Sequence, residues 1–274
     1  MTSADLAGIK VGDDIPAVVV GAINLSPNSF YAESYVKTPE GALRKALEMI
    51  EGGAGIIDIG AMSTAPRTKP ISERTERQRL IRTVKFLCKE IDAPISVDTQ
   101  RASIAEEAIS AGAQVVNDVS GLKADERMAG IISRLGCSAI IMACKNKPGD
   151  AKTIEEVIGA LKESLKICER EKIDLQKIVI DPGIGFGKGT KWDLHILSNL
   201  EKLSILKRPI YVAVSRKTLI GEVLGLKNPA DRLFGSLGAT VIALLKGARI
   251  IRTHDPKETL QAIRVAEAIM RTKV

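Results

Sequence analysis

The chain has 274 residues, 45% hydrophobic and 27% charged, enough to bury a sizeable core in one large domain or two small ones. A formal net charge of +7 invites an anionic partner, but basic residues alternate with acidic ones, as in Ser72-Glu73-Arg74-Thr75-Glu76-Arg77-Gln78-Arg79, and aromatics are only 3%. That is the pattern of a solvated helix face with too few rings for base stacking, so no nucleic-acid partner is expected, while an anionic small molecule remains compatible.

Met1 to Asp14 is charged and mixed, without a basic start and apolar core, and the longest apolar stretch, near Ala17 to Ile23, is too short to span a bilayer. A cytoplasmic protein without a membrane partner is expected. Cys88, Cys137, Cys144 and Cys168 show no C-x-x-C spacing and read as buried thiols, not disulfides or zinc ligands.

From Ala17 onward, short β-branched runs alternate with longer helical patterns, with no low-complexity linker to mark a second domain. Strands are predicted at Ala17 to Ile23, Ile56 to Ile59, Ile95 to Val97, Val115 to Val116, Ala139 to Met142, Ile178 to Ile180, Ile210 to Ala213 and Arg249 to Ile251. Helices follow, best marked at Pro39 to Gly52, Glu73 to Ile91, Ile154 to Glu171, Asp231 to Lys246 and Pro256 to Arg271, with Gly52, Gly112, Gly136 and Gly247 as stops. Eight strand-helix pairs in about 250 residues are the signature of a single-domain (β/α)8 TIM barrel, an α/β fold with its core over about 17–270 and every β-to-α loop at one rim. An open doubly wound sheet shares the pattern but usually carries a phosphate fingerprint in its first loop, and Asn24-Leu25-Ser26-Pro27-Asn28-Ser29-Phe30-Tyr31 has no such glycines.

The organising stretch is Ile178-Val179-Ile180-Asp181-Pro182-Gly183-Ile184-Gly185-Phe186-Gly187-Lys188. Asp181 closes a strand that is otherwise core, and a buried carboxylate needs partners, from protein or ligand. Taken alone, it could simply cap its own loop. The glycines fit neither the dinucleotide fingerprint nor the P-loop, since Gly189 follows Lys188.

Read together, the strand ends are Asn24, Asp58, Asp98, Asn117 with Asp118, Met142, Asp181, Ser215-Arg216-Lys217, and Arg252 with His254. In a barrel these polar ends converge on one pocket, which chance capping explains poorly. Carboxylates and amides pair well with a flat heterocycle bearing amino and carbonyl groups. Arg252, His254 and Asn24, on the eighth and first strands, form a cationic and amide corner suited to phosphate or diphosphate. With only two histidines a His-based triad or zinc site is not expected, and His195, beside Trp192 and Leu194, reads as a surface or packing residue.

These residues resemble the dihydropteroate synthase family of the pterin-binding barrel superfamily over about Ala17 to Ala268. The resemblance rests on Ile23 to Phe30, Asp58-Ile59-Gly60-Ala61-Met62-Ser63-Thr64, Ser96-Val97-Asp98-Thr99, Val116-Asn117-Asp118-Val119-Ser120-Gly121, Asp181 to Lys188, Ser215-Arg216-Lys217 and Arg252-Thr253-His254-Asp255, in that order. It implies a transferase that condenses 6-hydroxymethyl-7,8-dihydropterin diphosphate with an arylamine, either 4-aminobenzoate or a ribofuranosylaminobenzene phosphate. Diphosphate would be released with the help of Mg2+, in folate or methanopterin biosynthesis. It further implies that Asp98, Asn117, Asp181 and Lys217 hold the pterin, with Asp181 on the 2-amino and ring N–H edge and Lys217 on the carbonyl side. Asn24 would meet the magnesium or diphosphate, joined by Thr64, Arg252 and His254. Arg216 would stack beside the pterin, Thr218 would lie near the arylamine, and Asp58, Met142 and Phe186 would complete the substrate pocket. Asn24, Asp98, Lys217 and Arg252 are the expected catalytic residues. The family's habit also suggests a homodimer.

The sequence departs from the family on the arylamine side. Ala65 stands where Arg is usual, with Arg67 two residues later, and Asn28 replaces Asp in the first loop. The usual Met-His reads Met142-Ala143, followed by Cys144, expected to be a buried inert thiol. Arg67, Lys145 and Lys147 would suit a larger acceptor carrying a phosphorylated ribose, unless those lysines are simply solvated. Two rival readings are a methyl-tetrahydropterin:corrinoid methyltransferase, against which Ser215-Arg216-Lys217 and Arg252-Thr253-His254 argue, and a catalytically silent pterin-binding protein.

Overall fold

The computed structural model describes residues 2–26, 35–62 and 70–272. An antiparallel hairpin, β1 (Ser3–Leu6) and β2 (Ile9–Gly12), precedes the repeating units. These are β3 (Val18–Asn24), α1 (Pro39–Glu51), β4 (Ile56–Gly60), α2 (Glu73–Glu90), β5 (Ile95–Asp98), α3 (Ala102–Ser110), β6 (Val115–Asp118) and α4 (Arg127–Leu135). They continue with β7 (Ser138–Met142), α5 (Ile154–Arg170), β8 (Ile178–Asp181), α6 (Thr190–Ser198), β9 (Ile210–Ala213), α7 (Thr218–Leu224), α8 (Leu233–Leu245), β10 (Ala248–Thr253) and α9 (Pro256–Arg271). The eight strands from β3 to β10 pair in parallel and close on themselves, β10 against β3, so the fold is the expected single-domain (β/α)8 barrel.

Each of the eight barrel strands matches a predicted one, but several run further, to Asn24, Gly60, Asp98, Asp118, Asp181 and Thr253. The ladder is a backbone property, so a polar side chain does not end it. The longer strands set Asn24 opposite Gly60, Gly60 opposite Asp98, and Asp98 opposite Asn117. Three polar side chains from separate strands thereby share one level of the barrel.

The N-terminal hairpin is not expected from a stretch that reads only as charged and mixed. Its alternation is short, and only Ala4, Leu6 and Val11 are buried hydrophobics. They pack against the interior residues Val20, Ile56, Val115, Ile140 and Val179. The Ala7 amide donates to Ser138 Oγ at 3.0 Å, and Ser138 Oγ donates to the Asp5 carbonyl at 3.1 Å. Ser138 opens β7, so the hairpin plugs the end of the barrel where strands begin and leaves the other end for a ligand.

Helix starts follow the cap signals: Thr38 accepts from the Gly41 amide, Ser72 from Thr75, and Thr153 forms a capping box with Glu156. The predicted start of α8 at Asp231 falls instead in a 3₁₀ turn, Pro229–Arg232. No helix among the described residues is long and apolar enough to cross a membrane.

Candidate active site

A pocket with a cavity of about 60 Å³ opens where the strands end. Asn24, Asp98, Asn117, Asp181, Phe186, Lys217, Arg252 and His254 line it, all drawn from the sequence-predicted set. Met62, Val119, Tyr211, Ala213 and Ser215 complete its wall.

Beneath the pocket Asp58 works as a hub. It is fully buried and accepts from Ser96 Oγ at 2.6 Å and from Arg252 Nε at 2.7 Å. The Asn117 amide donates to both Asp58 oxygens, at 3.4 and 3.3 Å. This fixes the direction of the amide: with its NH2 turned to Asp58, Oδ1 is a buried acceptor without a partner among the described residues. Asp98 stands alongside, its Oδ2 3.8 Å from Arg252 Nη2. Burial and the charge of Asp58 push the Asp98 carboxyl up to about 7, against the pull of Arg252.

Across the pocket, Asp181 accepts from the Gly183 amide at 2.7 Å, so it does cap its loop, and it also faces the cavity. By contrast Asp118, the next strand-end carboxylate, is consumed by its own loop, accepting from the Ser120 amide and hydroxyl and from the Leu122 amide. Lys217 donates to the Ile184 carbonyl and lies 4.6 Å from the Phe186 ring centroid. Burial holds its ammonium down to about 8, although Asp181 favours the charged form. Gly185, at φ +77, makes room for it: a Cβ there would sit 2.2 Å from Lys217 Cδ. His254 shares a hydrogen bond with Ser215 Oγ through Nδ1 at 3.0 Å. Burial, with Arg252, Arg216 and Lys217 nearby, holds this imidazole down to about 3, so it is neutral and the corner's positive charge comes from its neighbours.

A model of pterin-binding enzymes matches residues 20–254. The dihydropteroate synthase of Bacillus subtilis is 37% identical over 254 residues, covering 92% of this chain and 88% of that protein. This chain belongs to the pterin-binding enzyme family. Among solved structures, dihydropteroate synthase from Xanthomonas albilineans with 4-aminobenzoic acid superposes with a TM-score of 0.89 at 32% identity, covering all of both chains. The Coxiella burnetii enzyme in complex with pteroic acid gives 0.88 at 33% identity, again over all of both chains.

For a member of the pterin-binding family, the remaining residues named from the sequence are distributed unevenly. Asp58 supports the pocket from below and is not part of its wall. Met142 is fully buried under the Asp181 loop, 3.1 Å from where a Gly183 Cβ would sit. Arg216 is not among the residues that line the cavity; it pairs through Nε and Nη2 with Asp255 at 2.9 and 2.7 Å and donates to the Pro229 and Ala230 carbonyls. Thr218 is exposed at the first position of α7 and does not reach the pocket. Asn28, Thr64, Ala65 and Arg67 lie outside the described residues. Cys144 is 1% exposed, and burial pushes its thiol up to about 12, as expected of an inert cysteine. Lys145 is paired with Glu156 at 2.8 Å, and the backbone amides of Lys145, Asn146 and Lys147 all donate to Asp150. His195 packs edge-on to Trp192, 6.2 Å between centroids.

Sequence reasoning missed Met62, Val119, Tyr211 and Ala213 as wall residues, while Ser215 was among the strand ends expected to converge. Val119 directly follows the polar strand end Asp118, and Met62 lies two residues beyond the end of β4, so position alone could have found them. Tyr211 and Ala213 lie inside a strand, where alternation alone does not tell the barrel interior from its helix-covered side.

Proposed function

We propose that Asp98, Asn117, Asp181 and Lys217 clasp the ring of 6-hydroxymethyl-7,8-dihydropterin diphosphate, while Arg252, His254 and Asn24 meet its diphosphate. The reaction is that of dihydropteroate synthases, a transfer that condenses the pterin diphosphate with aminobenzoate in folate synthesis. The observation that carries the ring assignment is the opposition, in one cavity, of the acceptors Asp98, Asn117 and Asp181 to the donor Lys217. A pterin carries amino and ring N–H donors on one edge and a carbonyl acceptor beside them, which matches that opposition.

The chemistry asks little more of the protein. The bond between the methylene carbon and the diphosphate oxygen breaks, the arylamine nitrogen bonds to that carbon, and the amine gives up a proton. An arylamine is neutral and nucleophilic near pH 7, so no strong base is needed. Arg252 stands where charge builds on the leaving group, and neutral His254 donates or accepts a hydrogen bond there. Asn24 lines the mouth, and its amide oxygen is a hard donor of the kind Mg2+ takes when substrate phosphates complete its shell. Bound there, the ion would neutralise charge on the departing diphosphate.

For the acceptor, the relative solved with 4-aminobenzoic acid supports plain aminobenzoate. The pairing of Lys145 with Glu156 takes one of the cations that suggested a phosphorylated acceptor. Nothing in the pocket favours the methyltransferase or silent-binding readings. Diphosphate release measured with a panel of arylamines, with and without magnesium, is the direct test. Turnover with 4-aminobenzoate that depends on magnesium is expected, and no release with any amine would overturn the reading.

A homodimer is supported by the apolar face that α8 and α9 leave open, where Phe234 is 82% exposed, Val265 63% and Ile269 71%. Sedimentation of the intact protein and of Phe234→Glu should show a dimer and a shift toward monomer respectively; a monomeric parent protein would reject it.

A further inference from the structure

Tyr211 lies in the barrel interior, packed in the same apolar cluster as Val20, Val115, Val179 and Ile250, and is only 1% exposed. Two residues later, and therefore on the same side of β9, comes Ala213, whose small side chain leaves the tyrosine a way to the pocket floor. The hydroxyl is buried and has no hydrogen-bond partner among the described residues. The nearby charged groups do not claim it. Asp58 is occupied by Ser96, Asn117 and Arg252, and Asp181 is held by Gly183.

An orphaned buried hydroxyl is costly, and a phenylalanine would fill the same layer without that cost. Burial and the carboxylates of Asp58, Asp181 and Asp98 keep the phenol protonated, so it arrives at the pocket as a donor. Across the same floor Asn117 Oδ1 is an orphaned acceptor. Together they offer one donor and one acceptor to whatever fills the cavity.

We propose that Tyr211 is a further ring-binding residue, whose hydroxyl donates to a nitrogen or carbonyl acceptor of the bound pterin while Asn117 Oδ1 accepts from a ring N–H. The inference rests on the pterin reading of the pocket. The hydroxyl gains its partner only when the ring is bound, so Tyr211 adds to affinity and not to folding.

The test is calorimetric titration of the full-length protein and of Tyr211→Phe with 6-hydroxymethylpterin, which lacks the diphosphate and is not turned over, alongside thermal unfolding of both. Tyr211→Phe should bind about tenfold more weakly with an unchanged or higher melting temperature, as expected when an unsatisfied buried hydroxyl is removed. Equal binding by the two proteins would overturn the inference while leaving the pterin site intact. Weaker binding with a lowered melting temperature would give Tyr211 a packing role and overturn it as well. If the parent protein did not bind the pterin, the reading of the site and this inference would fall together.

Discussion

Arg252, on the last barrel strand, donates through Nε to Oδ2 of Asp58, on the second, at 2.7 Å, with Asp58 fully buried. The contact spans the one intervening strand, β3, beneath the pocket and ties the cationic corner to the side where Asn117 is oriented. Replacing Asp58 by Ala removes the partner of a buried guanidinium and also strands Ser96 and the Asn117 amide. Loss of one partner of such a pair costs about 3–5 kcal/mol, so urea unfolding should show a loss of that order. Pterin affinity should fall at least tenfold in the fraction that remains folded. Unchanged affinity would mean that Asn117 needs no orientation by Asp58.

Gly185 is the second test of positioning. Its φ of +77 and the 2.2 Å approach to Lys217 Cδ leave no room for a Cβ. Gly185→Ala should displace Lys217 and cost roughly 1–3 kcal/mol of stability through backbone strain. Steady-state kinetics should register it chiefly as a raised KM for the pterin diphosphate.

Two opposed titrations set the pH dependence. Asp98 is raised from 3.8 to about 7, and Lys217 is lowered from 10.5 to about 8. If ionised Asp98 accepts a ring N–H and charged Lys217 donates to the carbonyl, kcat/KM should be bell-shaped, falling below about 7 and above about 8. Asp98→Asn should remove the acidic limb. Stability without ligand moves the other way. Asp98 binds its proton more tightly when folded, so its contribution is present at acid pH and is lost as pH rises from 3.8 through about 7. Lys217 binds its proton more weakly when folded, so stability recovers as pH rises from about 8 through 10.5.

Glu76 is buried on α2 and accepts from Thr99 Oγ1 at 2.6 Å and from Arg101, whose Nη2 also donates to the Ile71 carbonyl at 2.8 Å. The network joins the loop after β5, which carries Asp98, to the segment before α2. Glu76→Ala should cost about 3–5 kcal/mol as an opened buried pair. Glu76→Gln, which keeps part of the hydrogen bonding, should recover part of that stability in thermal unfolding and of kcat/KM in the coupled assay.

The sequence is most legible where one residue type meets one backbone requirement. The run Ile178-Val179-Ile180 before Asp181 is a strand whichever fold contains it, and its end can be read as a ligand position because burial of a lone carboxylate is costly. The N-terminal hairpin is illegible because Ala4, Leu6 and Val11 are too few for periodicity to register. Arg216 sits in a motif that marks the site, and its guanidinium is bonded to Asp255 and two carbonyls, partners distant in the chain that the motif alone does not reveal.

By itself, then, the order of residues determined a barrel of eight units and named polar side chains that line its mouth, because strand periodicity and strand-end polarity are local properties; Phe186 was implied only by the family resemblance. Which of the buried carboxylates faces the cavity, which supports it and which caps its own loop was decided only by packing. Asp181 and Asp118 end their strands while Asp58 lies in the middle of β4, and the three differ because depth, register and the neighbouring strands give each a different set of donors. The same holds for Tyr211: only closure of the barrel brings its hydroxyl beneath the pocket, among carboxylates from other strands.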